Sequence, residues 1–199
     1  MEYYYSIDKS SVAEFKDRGS KFIAHAFPVK NVKEFKLKLA AIKKEHSKAV
    51  HHCFAYRIGF AGDNYRVNDD GEPSGSAGKP ILGQIDSKSL INVAIVVTRY
   101  FGGTLLGIPG LIQAYKTASA LSIQTTPIVQ RPILISYCAE FDYHLQNDVI
   151  RILKQSQCVI TALNISLFST ILFEVPKNRE SEVLFKIQEI RNVVLKKIL

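Results

Sequence analysis

The 199-residue sequence predicts an α+β protein made of two consecutive domains, 1–127 and 131–199. Three observations carry that prediction. Apolar runs of strand length recur along the chain, and amphipathic stripes of helical spacing separate them. Two prolines, Pro127 and Pro132, then bracket a linker, after which a second series of strands and helices begins. At 47% apolar and 22% charged residues the composition is that of a folded, soluble chain, so disorder is not the starting assumption.

Taken in order, Ser20 to Phe27 alternates, with Phe22, Ala24 and Ala26 on one side and Ile23, His25 and Phe27 on the other, and Pro28 ends the strand. Asn31 and Glu34 have the spacing of a capping box, and Val32, Phe35, Leu39 and Ile42 make the apolar stripe of a helix. Lys33, Lys38 and Lys44 point away from that stripe, either as a solvated face or as a surface for anions. His51 to Ile58 reads as a strand. Tyr65-Arg66-Val67 reads as a short one after a turn at Gly62-Asp63-Asn64, and residues 69–80 as a polar loop. Leu90 to Val97 is a continuous β-branched run of the buried-strand kind, leading through Gly102-Gly103, Gly107 and Pro109-Gly110 into a helix. Beyond the linker come a strand at Ile133 to Tyr137, a helix capped by Asp142, strands at Val159 to Leu163 and Thr170 to Val175, a helix near Asn178 and a last strand at Val193 to Ile198. That β-α-β-β-α-β order is ferredoxin-like.

Charge and cysteine content narrow the function classes. Residues 1–127 hold 17 Lys and Arg against 11 Asp and Glu, a net +6, and residues 128–199 hold 9 against 7, a net +2. The excess favours polyanionic partners without specifying one, and many soluble proteins are equally basic. Cys53, Cys138 and Cys158 are odd in number and far apart, which fits a reducing compartment with no disulfide framework. No stretch approaches the roughly 20 apolar residues that cross a bilayer, and Met1 to Ser6 has no secretory pattern. A cytoplasmic location is the expectation.

Two segments carry most of the candidate chemistry. Asp69-Asp70-Gly71-Glu72-Pro73-Ser74-Gly75-Ser76-Ala77-Gly78-Lys79-Pro80 gathers three carboxylates, two hydroxyls and a lysine around glycines. Clustered oxygens suit Mg²⁺ or Ca²⁺. The spacing is not that of an EF-hand, and Gly75 to Lys79 lacks the spacer of a P-loop, so a metal-free structural loop is the preferred reading. Arg99-Tyr100-Phe101-Gly102-Gly103 with Gly107 and Gly110 leads from a strand into a helix. Such a turn either holds a phosphate on helix-start amides, with Arg99 as a charged contact, or uses glycine for tight strand–helix packing. His51 and Cys53 share one face of their strand and His52 takes the other, so His51-His52-Cys53 is no ready-made metal cluster. There is no G-x-S-x-G and no H-E-x-x-H.

Together with Lys21-Phe22-Ile23-Ala24, His51-x-Cys53-x-Ala55-Tyr56, Leu106-Gly107 and Gly110-Leu111 with Ala114-Tyr115, these two blocks resemble the IMPACT/YigZ family. The resemblance is strong over about the first 125 residues and rests on element order beyond them. It implies an N-terminal domain like domain IV of elongation factor G and a C-terminal domain like that factor's domain V. The chain is similar to the short bacterial form, without the RWD domain through which eukaryotic relatives regulate an amino-acid control kinase. Two departures stand out: Pro109 where the family often has glycine, and Gln113 where it often has a basic residue. Ser76 replaces a common threonine.

The expected function is therefore non-catalytic RNA or ribosome binding linked to translation regulation. The candidate phosphate contacts are Lys21, Lys79, Arg99, Tyr100, Gly102, Gly103, Gly107 and Gly110. His51, Asp69, Asp70, Gly71, Glu72, Ser74 and Ser76 form the motif loop, with no metal or cofactor expected. The alternatives are a metal-assisted hydrolase using Asp69, Asp70 and Glu72 on a phosphate-bearing substrate, and a protein-interaction regulator of a translation factor.

Overall fold

The computed structural model describes residues 1–60 and 63–198, so Gly62 of the expected turn lies outside the described residues. The chain divides into two units, Tyr4–Arg131 and Pro132–Leu199 with Met1–Tyr3.

The first unit centres on five strands: β2 (Ser11–Asp17), β3 (Ser20–Pro28), β4 (His51–Ile58), β5 (Asn64–Asn68) and β6 (Val93–Tyr100). Their order is β2-β3-β6-β4-β5 and every neighbouring pair is antiparallel. Alternation along each strand decides what covers each face. Helix α1 (Val32–Glu45) lies on one face, where Phe35 and Ile42 pack with Phe27, Phe54, Tyr56 and Val96. Helices α2 (Gly78–Ser87) and α3 (Gly107–Gln124) lie on the other, over Phe22, Ala24, Cys53, Ala55, Ile95 and Val97. Fully buried Phe22, Ile81, Ile85 and Ile95 each contribute about 1.5–3 kcal/mol by leaving water. A short strand β1 (Tyr3–Ile7) pairs with β7 (Ile128–Pro132).

The helix start at Asn31 forms as its residues dictate. The Asn31 side chain accepts from the Glu34 N–H at 2.9 Å, and the Glu34 carboxylate reaches back to the Lys30 N–H at 2.9 Å. Two expectations need correction. The polar loop ends sooner than residue 80, because α2 begins at Gly78, and β1, β2 and β7 were not foreseen. β2 is an edge strand whose residues are all at least partly exposed, so it carries little apolar signal. The buried strand also continues past Val97 to Tyr100, since Arg99 has a partner inside the fold.

The second unit runs β8 (Leu134–Asp142), α4 (Gln146–Gln155), β9 (Val159–Asn164), β10 (Phe168–Pro176), α5 (Glu180–Gln188) and β11 (Val194–Lys197). Its antiparallel sheet has the order β11-β8-β10-β9, which with this connectivity is ferredoxin-like. Val149 and Leu153 of α4 and Val183 and Ile187 of α5 close over Tyr137, Phe141, Ile171 and Phe173. Among the described residues of this unit, both helices lie on that one face of the sheet.

Candidate functional site

The sequence motifs meet at one end of the first unit's sheet. The β2–β3 turn, the start of β4, the loop after β5 and the turn after β6 all end there. On the α2–α3 face, Glu72 is the hub. Arg99 Nη1 donates to Glu72 Oε1 at 2.7 Å, and the Tyr115 hydroxyl donates to the same oxygen at 2.7 Å. The two charged side chains are 7% and 3% exposed, so this is a buried ion pair. Arg99 also lies over the rings of Phe22 at 5.5 Å and Phe101 at 5.6 Å, while its Nε has no partner among the described residues. A guanidinium held in this way cannot also receive a phosphate from solvent. The expected phosphate contact from Arg99 does not fit the geometry; Arg99 braces the loop.

Asp69 and Asp70 serve the loop in other ways. Burial pushes the Asp69 carboxyl up, but backbone N–H groups of Gly75, Gly78 and Ala77 outweigh it and hold the group below the ordinary carboxylate range. The Asp70 carboxylate accepts the His52 N–H at 2.7 Å and lies 3.6 Å from Lys43 Nζ. Asp70 and Gly71 have φ of 42° and 90°, a left-handed pair that turns the chain sharply. His51 Nδ1 donates to the Asp70 carbonyl at 2.8 Å, which leaves Nε2 3.9 Å from Glu72. Ser76 is buried and donates to the Pro73 carbonyl at 2.6 Å, whereas Ser74 is exposed. The three carboxylates thus face three different sets of partners. A hydrolytic metal centre requires convergence, and no group of three His, Cys, Asp or Glu side chains among the described residues is arranged to hold an ion.

Cys53 and Tyr115 extend the network inward. Cys53 Sγ lies 2.9 Å from the Asp69 carbonyl and 3.3 Å from the Tyr115 hydroxyl. Burial pushes its thiol up to about 12, which keeps it protonated and unsuited to nucleophilic attack. Burial likewise raises the Tyr115 phenol far above its ordinary value, so it acts here as a neutral donor.

The glycine turn resolves mainly into packing. A Cβ on Gly102 would lie 1.8 Å from the carbonyl carbon of Gly19, so the two backbones touch. At Gly110 a Cβ would meet Arg18 Nη2 at 2.6 Å, and that guanidinium donates to the Leu106 carbonyl at 3.1 Å. Gly103 and Gly107 have φ of 88° and 69°, a left-handed region that glycine adopts at least cost. Tyr100 is on the opposite face from Arg99, and its hydroxyl meets His46 Nδ1 at 3.0 Å, so the two cannot grip one phosphate together. Lys21 is bound to Glu14 at 2.6 Å, and Lys79 is exposed in the first turn of α2. Ser20 Oγ accepts the Gly102 N–H at 3.2 Å, and the roles of Ser20, Arg18 and Gly19 had no signal beyond a glycine before a strand. Neither did the contact of His25 Nε2 with His46 Nε2 at 3.1 Å.

A sandwiched antiparallel sheet, closed at one end by a glycine-rich acidic loop locked to a buried arginine and followed by a ferredoxin-like unit, defines an α+β class of protein. The description of the Impact N-terminal domain matches residues 18–123. The chain is 34% identical to IMPACT family member YvyE of Bacillus subtilis (strain 168) over 90% of its own length and 84% of that protein's. It is 30% identical to IMPACT family member YigZ of Escherichia coli (strain K12), covering 87% and 85%. A crystal structure described as that of an hypothetical protein superposes with a TM-score of 0.80 at 26% identity, covering 100% of this chain and 98% of the other. The chain belongs to the IMPACT family.

Proposed function

We propose that this chain is a non-catalytic RNA- or ribosome-binding protein acting in translation regulation, with its N-terminal unit making the contact. The observation that carries this reading is a row of lysines on α1 and just after it. Lys33, Lys36, Lys44 and Lys48 are exposed, and none has a carboxylate partner among the described residues. At 100° per residue, Lys33, Lys36 and Lys44 fall within about 80° of one helix face. Exposed Lys79 and Phe101, the latter 49% exposed, add a cation and an aromatic surface nearer the motif loop. Of the acidic residues of that loop, Glu72 is buried against Arg99, Asp69 is engaged by backbone N–H groups and Asp70 lies beside Lys43, which blunts their opposition to a polyanion. Arg99 acts behind this surface as a brace.

Fluorescence anisotropy of a labelled single-stranded RNA across a salt series tests the proposal. Four phosphate contacts predict a log–log slope of about −3, hence roughly 50-fold weaker binding at 200 mM than at 50 mM salt. The double variant Lys36→Glu/Lys44→Glu should remove about half of that slope. A flat salt response, or full binding by the double variant, would remove the support for this reading. Protein partners that persist from nuclease-treated lysate would favour the regulator of a translation factor instead.

A further inference from the structure

The open face of the ferredoxin-like sheet carries chemistry unlike that of the N-terminal unit. Register sets Phe168, Thr170 and Leu172 of β10 beside Asp142, Glu140 and Cys138 of β8, with Val194 of β11 opposite Glu140. Phe168 is 69% exposed, Val194 53% and Leu172 36%, and Leu167 in the β9–β10 hairpin is 80% exposed. A cavity of about 430 Å³ opens among Phe168, Thr170, Asn192 and Val194, with Glu140 and Asp142 on its wall. Among the described strand residues, Glu140, Asp142 and Glu174 share this face with Lys196, which is already bound to Glu140 at 2.8 Å. The face is therefore acidic on a chain whose net charge is +8.

Large exposed apolar groups gathered around a cavity mark contact surfaces rather than ordinary solvent-facing sheet. Unpaired carboxylates beside them repel phosphate and select cations. We infer that this face docks a basic segment of a partner protein, which places an apolar side chain in the cavity beside Phe168 and sets Lys or Arg against Asp142 and Glu174. Charge complementarity separates this partner from the RNA proposed for the first unit. Backbone pairing is not required, since the contact is to the face and not to an edge strand.

The test uses the full chain, isotope-labelled for NMR and titrated with a short synthetic Lys/Leu/Phe peptide. A Glu/Leu/Phe counterpart and a polyuridine oligomer serve as comparison probes. The expected result is amide shifts grouped at Phe168, Thr170 and Val194 with the basic peptide only. Asp142→Lys should weaken binding about tenfold, and Phe168→Ser should do so independently. Both positions are on the sheet surface, and unchanged spectra elsewhere will show that the variants fold. Three results would overturn the inference: no shift at those residues, equal binding of the acidic peptide or the RNA there, or perturbation of the same residues by self-association alone.

Discussion

Replacing Arg99 with methionine leaves the Glu72 carboxylate buried with only the Tyr115 hydroxyl and a distant His51 nitrogen to answer it. Because the paired side chains are 7% and 3% exposed, solvent cannot take over from the guanidinium. Breaking a buried pair from one side costs about 3–5 kcal/mol. For a chain of this size each kcal/mol lowers the melting midpoint by roughly 2–4 °C, so a loss of about 6–20 °C is expected. Glu72→Leu removes the pair from the other side and also takes the acceptor from Tyr115, adding about 1–3 kcal/mol. The double variant removes both charges together and should be far more stable than the sum of the singles implies, with a coupling of at least about 2 kcal/mol. Guanidinium denaturation of the four proteins, followed by circular dichroism, measures this cycle. The brace assignment fails if Arg99→Met costs less than about 1 kcal/mol or if the singles simply add. The folded double variant should also keep the RNA salt slope of the parent. Loss of that slope would return Arg99 to the role of a phosphate contact.

Two further outcomes follow from buried titratable groups. Burial holds His25 and His52 below the usual imidazole range, with the charge of His46 adding to the effect at His25. The unfolded chain then binds protons first as pH drops below about 6.5. Stability is complete above that value and falls as pH descends through the two lowered imidazole ranges. Denaturation midpoints between pH 7.5 and 5 should show this decline, and His25→Gln/His52→Gln should flatten it. An unchanged decline in that variant would place its cause elsewhere. Cys53, with its thiol raised to about 12 by burial, should remain unmodified by iodoacetamide in the native chain and react on unfolding. Mass spectrometry of the native protein will decide it, and rapid native alkylation at Cys53 would contradict the buried network.

The sequence by itself determined most of the strands and helices, because their signals are local. Alternation from Ser20 to Phe27, the Asn31 and Glu34 cap and the β-branched run before Val97 each act within a few residues. The same holds for the ferredoxin-like order of the second unit. Edge strand β2 and short helix α2 were not legible, since pairing with β3 and packing over β4, more than any pattern of their own, hold them in place. The residues of the braced loop, Arg99, Glu72 and the glycines, already stand out in the sequence as motif blocks. Only the tertiary structure decided which way they face. Arg99 and Glu72 are 27 residues apart, and Gly19 and Gly102 belong to segments that meet only when β3 and β6 pair. Burial turns Arg99, which looked like a ligand contact, into an internal brace with Glu72, and solvent leaves the plain lysines of α1 among the outward-facing cations.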